Sequence, residues 1–125
     1  MEILASRMLL RPADYPLTLA FYRDTLGLAI AREYPAGTVF YAGQSLIEVA
    51  GHGEPHSTSA ALWLQVRDVY AVEVELTGRG VKIAREARQE PWGLHEMQVT
   101  DPDGVTLIFV QIPREHPLRK DSRAG

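Results

Sequence analysis

Apolar residues along this chain recur at two spacings, one near 3.6 residues and one near two, and the order in which the two spacings occur repeats. Glu2 to Arg11 carries Ile3, Leu4, Met8, Leu9 and Leu10 with few polar groups and ends at Pro12, which cannot donate to a sheet ladder; a largely buried first strand is expected. Asp14 then precedes Tyr15-Pro16, an acceptor for free helical amides followed by a proline suited to a first turn. Leu17, Ala20, Phe21, Thr25 and Leu26 follow at helical spacing up to Gly27, so one amphipathic helix is predicted over about 15–26. From Leu28 to Gly51 the spacing shortens. Leu28 to Glu33, Thr38 to Tyr41 and Ser45 to Ala50 read as strands, separated by the turns Pro35-Ala36-Gly37 and Gly43-Gln44.

A polar link, His52 to Ser59, comes next, and then the pattern starts again. Ala60 to Val66 is a strand. Asp68 caps a helix carrying Val69, Val72, Val74 and Leu76 up to a stop at Gly78-Arg79-Gly80. Val81 to Ala87, Leu94 to Thr100 and Val105 to Ile112 are strands. Strand, helix and three strands thus occur twice, which points to a duplicated module: module one over 1–51, the link over 52–59, module two over 60–112. Residues 113–125 are charged and lack a periodic apolar face, as expected of a frayed tail or an arm on a partner.

Three local sequences give this pattern a family. The run from Asp14 to Leu28, with Phe21-Tyr22 and Leu26-Gly27-Leu28, is similar to the first helix of the vicinal oxygen chelate superfamily, which includes glyoxalase I, extradiol dioxygenases and the bleomycin-resistance proteins. Asp101-Pro102-Asp103-Gly104 resembles that family's turn between its last two strands, and Pro91-Trp92-Gly93 the loop before its seventh. Each also has a plain physical reading: Phe21, Leu26 and Leu28 are core residues of an amphipathic helix and its exit, and Asp-Pro-Asp-Gly is a turn by its own chemistry. The resemblance implies an α+β fold of two βαβββ modules forming a curved mixed sheet, glyoxalase/bleomycin-resistance-like, and a homodimer.

Composition narrows the partners. The 125 residues, 46% of them hydrophobic, suffice for one domain with a real core. A net charge of −3 gives no general attraction to nucleic acid or anionic membrane, and neither is expected as a partner. Without cysteine there is no disulfide, thiolate nucleophile or thiolate metal ligand. No run approaches the roughly 20 apolar residues of a membrane span, and the first residues are too short a run for a secretory core, so a cytoplasmic location is expected.

Metal-using members of the family hold a divalent cation on four ligands, usually His, Glu, His and Glu, from the first, fourth, fifth and eighth strands. The resemblance places those positions on Arg7, Glu48, Ala61 and Ile108. Only Glu48 can ligate, and a lone carboxylate does not hold a catalytic metal, so no metal and no cofactor are expected; a divalent ion at Glu48 is the alternative. His52 and His56 are four apart but separated by Gly53 and Pro55, which opposes the helix such a ligand pair needs. His116 lies in the tail. His95 and Glu96 are neighbours on a strand and face opposite sides, so they cannot chelate together; His95 could act as a general base if it turns inward.

By the same resemblance, Arg7, Glu48, Ala61 and Ile108 line a cup, and alternation adds Trp63 and Gln65 beside Ala61. Arg7 and Glu48 are expected to pair, either orienting a polar or zwitterionic ligand or only neutralising each other beneath a filled cup. Trp92 is either a stacking surface at the mouth or a hydrophobic plug. The expected function is metal-independent binding of a small organic ligand, of the antibiotic- or metabolite-sequestering type. The expected ligand-binding set is Arg7, Glu48, Ala61, Trp63, Gln65, Trp92, His95 and Ile108. The alternative is an enzyme of the superfamily, a lyase, isomerase or dioxygenase, with Glu48 and His95 as catalytic candidates. A small regulatory or interaction domain is the third reading.

Overall fold

Capping and turn chemistry place the elements where the sequence pattern puts them. The structure, a computed structural model, describes residues 2–5, 7–53, 55 and 60–116. Two compact units divide the chain: the described residues up to Pro55 with 101–105, and 60–100 with 106–116. Among the described residues no helix is long and apolar enough to cross a membrane.

The first unit is a four-stranded mixed sheet, ordered β1-β4-β3-β2, of β1 (Met8–Leu10), β2 (Ile30–Tyr34), β3 (Gly37–Ala42) and β4 (Ser45–Ala50). β1 lies parallel to β4, the pairing a helical crossover permits, and the other neighbours are antiparallel. That crossover is α1 (Tyr15–Ala20), whose first turn is closed by Asp14 accepting from the Leu17 amide at 3.0 Å. It runs on as a π-helical segment, Phe21–Thr25. The inward ridge is Thr18 and Tyr22, an i,i+4 pair with no exposed surface, and Tyr22 meets Phe40 with ring centroids 6.4 Å apart. Leu17, expected on that ridge, is 55% exposed because it sits one residue, about 100°, around the helix.

The first strand is shorter than its apolar run. Ile3 and Leu4 are 73% and 85% exposed, and pairing covers only Met8–Leu10, against Ile47–Val49. Apolar character over 2–5 has no ladder partner among the described residues, so it does not extend the strand.

The second unit repeats the first. β5 (Ala61–Gln65), β6 (Ile83–Gln89), β7 (His95–Thr100) and β8 (Thr106–Gln111) form a mixed sheet ordered β5-β8-β7-β6, again with the first strand parallel to the last. α2 (Val69–Gly78) is capped by Asp68, which accepts from the amides of Tyr70 and Ala71, both at 3.1 Å. It buries Val69 and Leu76 and leaves Val74 out.

The repetition extends to residue and register. One row of side chains on the first sheet reads Leu9, Glu48, Val39, Arg32; the equivalent row on the second reads Trp63, Ile108, Gln98, Arg85. Each arginine belongs to the same tetrapeptide, Ile30-Ala31-Arg32-Glu33 in β2 and Ile83-Ala84-Arg85-Glu86 in β6, and each follows a register shift between the isoleucine and the arginine. Hydrophobic patterning alone passes over this repeat, because two of its four residues are charged.

The turn 101–105 completes the first unit. The Tyr22 hydroxyl donates to Asp101 Oδ2 at 2.8 Å, and Asp101 Oδ1 accepts from the amides of Asp103 and Val105, each at 2.8 Å. Gly104 takes the left-handed conformation, φ 90°, that the turn chemistry requires.

Candidate functional site

On the first sheet the site lies on the face turned away from α1. Phe40, Ile47 and Val49 face the helix, so alternation sends Glu48, Val39 and Arg32 to the other side. Glu48 is the centre of a bonded group there. Its Oε1 accepts from Arg7 Nη1 at 3.0 Å and its Oε2 accepts from the Tyr34 hydroxyl, with only 14% of the Glu48 side chain exposed.

Tyr34 reaches Glu48 because residue 37 has no side chain. A Cβ at Gly37 would stand 2.5 Å from the Tyr34 hydroxyl oxygen and 2.8 Å from the Val49 carbonyl oxygen. The Gly37 backbone is not left-handed, so this glycine serves close approach rather than the turn conformation its Pro35-Ala36-Gly37 context suggests.

The electrostatics follow from these contacts. The Tyr34 hydrogen bond and then Arg7 hold the Glu48 carboxyl below its ordinary value against the opposing effect of burial, and His52 adds a smaller pull in the same direction. Burial, then the bond to Glu48, pushes the Tyr34 phenol up to about 12. The Tyr34 ring is further enclosed by the Arg32 guanidinium, 5.1 Å from its centroid, and by the His52 ring at 6.1 Å. Arg11 Nε is buried with no acceptor among the described residues, next to Gly53, whose added Cβ would lie 2.8 Å from it.

On the second sheet, Ala61, Trp63, Gln65 and Ile108 share the face turned away from α2. Trp63 is 50% exposed across from Ile108. Trp92 is also exposed, with its indole N–H donating to Glu96 Oε2 at 2.7 Å. Glu96 is buried, as is Glu90, which pairs with Arg85 and with Arg88 Nε at 3.3 Å.

His95 is not with them. It is in register with Gln111 and so points to the α2 side, where its Nδ1 and the Tyr70 hydroxyl are 2.7 Å apart. The expectation that it lines the ligand-bearing face or acts there as a base is corrected by that register: the inward neighbour is Glu96. His116 contacts the Trp92 carbonyl oxygen through Nε2 at 3.0 Å, and His56 lies outside the described residues. The sequence does not single out Tyr34, Arg32 or Glu90, and it brings in Glu96 only as the strand neighbour of His95. The Ile-Ala-Arg-Glu repeat was the signal that could have found the arginines.

The donors do not fit the metal site that the family resemblance brings. Glu48 has a guanidinium on one oxygen and a phenol on the other, while Ala61 and Ile108 offer no donor. Among the described residues no three His, Asp or Glu side chains come together in a way that could hold an ion.

Paired βαβββ units, each a four-stranded mixed sheet with one helical crossover, define an α+β protein of the glyoxalase type. The family model described as Glyoxalase/Bleomycin resistance protein/Dioxygenase superfamily matches residues 5–109, and the chain belongs to that superfamily. Among solved structures, a glyoxalase/bleomycin resistance protein/dioxygenase from Nocardioides is similar with a TM-score of 0.72 at 14% identity, over 94% of this chain and 89% of its own. TioX from Micromonospora sp. ML1 is similar with a TM-score of 0.70 at 22% identity, over 87% and 100%. A lactoylglutathione lyase from Agrobacterium tumefaciens is similar with a TM-score of 0.65 at 16% identity, over 89% and 96%. These likenesses show the fold alone. No curated protein matches the chain.

Proposed function

We propose that this protein binds a small organic ligand without a metal ion, as sequestering members of the superfamily do, using side chains on the sheet faces turned away from its helices. The observation that carries this reading is the state of Glu48. Both carboxylate oxygens are engaged, by Arg7 and by Tyr34, and the group is held ionised. A guanidinium on the same carboxylate opposes a cation there, no second ligand stands beside it among the described residues, and a lowered carboxyl takes up a proton less readily than a general base tuned to neutral pH. What the faces offer is recognition: the exposed indole of Trp63 beside Ile108 on one sheet, and the Arg7, Glu48 and Tyr34 group on the other.

The test pairs elemental analysis of untagged protein with thermal shifts against aromatic metabolites and planar antibiotics. Less than one tightly held divalent ion per chain, with stabilisation of roughly 2.7 kcal/mol at about 100 times the dissociation constant, is expected. A stoichiometric ion, or turnover that Glu48→Gln abolishes, overturns it in favour of a lyase, isomerase or dioxygenase built on Glu48. The homodimer belongs to the same proposal and is read by light scattering, one chain per particle being the contrary result.

A further inference from the structure

We infer that the ligand of the first sheet carries an oxyanion group and that Arg32 receives it. This rests on the small-molecule reading above and adds the chemistry of the ligand. Arg32 and Arg85 occupy equivalent positions, in the same tetrapeptide, after the same register shift and at the end of equivalent side-chain rows.

Their partners differ. Arg85 is paired with the buried carboxylate of Glu90, within its own hairpin. Arg32 lies over the Tyr34 ring and has no carboxylate partner among the described residues. The hairpins explain the difference: seven positions separate Arg32 from its register partner Val39, whereas thirteen separate Arg85 from Gln98, and the longer loop is what supplies Glu90. The second unit therefore shows what an arginine at this place holds, and the described residues of the first unit have the arginine without the carboxylate.

The surroundings agree in charge. Among the described residues Arg7, Arg11 and Arg32 stand on or beside this end of the sheet and Glu48 is the carboxylate bonded there, in a chain whose net charge is −3. Glu48 is already shared by Arg7 and Tyr34, so among the described residues Arg32 faces solvent without a carboxylate and Arg11 Nε has no acceptor. A guanidinium backed by an aromatic ring keeps its outer edge for two parallel hydrogen bonds, the geometry that suits a carboxylate or a phosphate.

The experiment follows the arginine Nε–Hε resonances of the full chain by NMR, with Arg32 and Arg85 assigned from Arg32→Gln and Arg85→Gln. The probes are benzoate, benzamide and inorganic phosphate. The expected result is a saturable shift of the Arg32 signal with an oxyanion, about tenfold or more tighter for benzoate than for benzamide, and lost in Arg32→Gln. The Arg85 signal, from a guanidinium already paired with Glu90 through Nη2, stays still. Saturation with benzoate only assigns a carboxylate ligand, and saturation with phosphate as well assigns either oxyanion; both support the inference. No saturable movement of Arg32, equal movement of Arg32 and Arg85, or equal response to benzamide overturns it. A response to benzamide equal to benzoate leaves small-molecule binding standing, whereas saturation at Arg32 together with a stoichiometric metal removes the metal-free reading and not this one.

Discussion

The Tyr34 phenol donates to the Glu48 carboxylate beside Gly37, and this contact lowers the carboxyl together with Arg7 and adds to burial in raising the phenol. The carboxyl is lowered, the phenol raised. Each shift is a statement about stability as a function of pH.

For Glu48 the folded value lies below the unfolded one of 4.5, so its contribution is complete above about 4.5 and is lost as pH falls through the folded value. For Tyr34 the folded value of about 12 lies above the unfolded 10.0, so its contribution is complete below 10 and is lost as pH rises toward 12. Urea unfolding of the wild type is therefore expected to weaken at both extremes. Glu48→Gln should flatten the acidic limb, and Tyr34→Phe should remove a phenol titrating at about 12 from the near-ultraviolet absorbance curve. An acidic limb identical in wild type and Glu48→Gln would show that the pair carries no such coupling.

Gly37→Ala puts a methyl group where the Tyr34 hydroxyl and the Val49 carbonyl already are, 2.5 and 2.8 Å away. The phenol is the part that can yield. The substitution is expected to cost about 1–3 kcal/mol by overpacking, and to return the Glu48 carboxyl toward its ordinary value as the phenol withdraws. A carbon-detected NMR titration of Glu48 reads the second effect independently of the first. Loss of stability with Glu48 unmoved would mean that Gly37 serves only the strand.

How much of this was legible beforehand depends on whether a residue acts through its neighbours in sequence or through its register. Asp14 and Asp68 were read as helix caps and are, because a cap is a contact within three residues. β4 has the predicted bounds, Ser45–Ala50, since turns flank it on both sides. Glu48 and Arg7 were brought forward together by family position, and the structure joins them. Alternation alone showed that His95 and Glu96 face opposite sides, but not which of them faces inward. That is fixed by the pairing of Glu96 with Val110. Tyr34 escaped notice because its partner is fourteen residues away and its path depends on a glycine that looked like a turn former. Ile3 and Leu4 misled, because apolar composition describes what a residue can bury and not whether a strand is there to bury it.

Tyr22 is the second phenol with a long-range partner. It has no exposed surface, and its hydroxyl donates to Asp101, itself buried and bonded to the amides of Asp103 and Val105. Tyr22→Phe keeps the ring that meets Phe40 and removes only the donor, leaving a buried carboxylate with one partner fewer. A loss of about 1–3 kcal/mol is expected in chemical denaturation. Tyr22→Leu should lose more, since the ring contact goes as well. If Phe at this position were as stable as Tyr, the bond to Asp101 would be incidental to the fold.

Glu90 is the residue whose removal separates structure from recognition. It is 4% exposed and neutralises Arg85, whose side chain is 30% exposed, with Arg88 adding a longer contact from a more open position. Glu90→Gln keeps the volume and one acceptor oxygen but leaves the Arg85 guanidinium facing a neutral amide. Breaking a fully buried pair costs about 3–5 kcal/mol, and the partial exposure of Arg85 lets water take up some of the deficit, so a loss of roughly 1–3 kcal/mol is expected. Because the lost partner is an anion, added phosphate should restore part of the melting temperature in Glu90→Gln beyond any gain in the wild type. Glu90→Ala, which also opens a cavity, should fall further and recover less. A Glu90→Gln protein as stable as the wild type, with no separate response to phosphate, would show that Arg85 is satisfied by solvent and that this carboxylate is not what holds it.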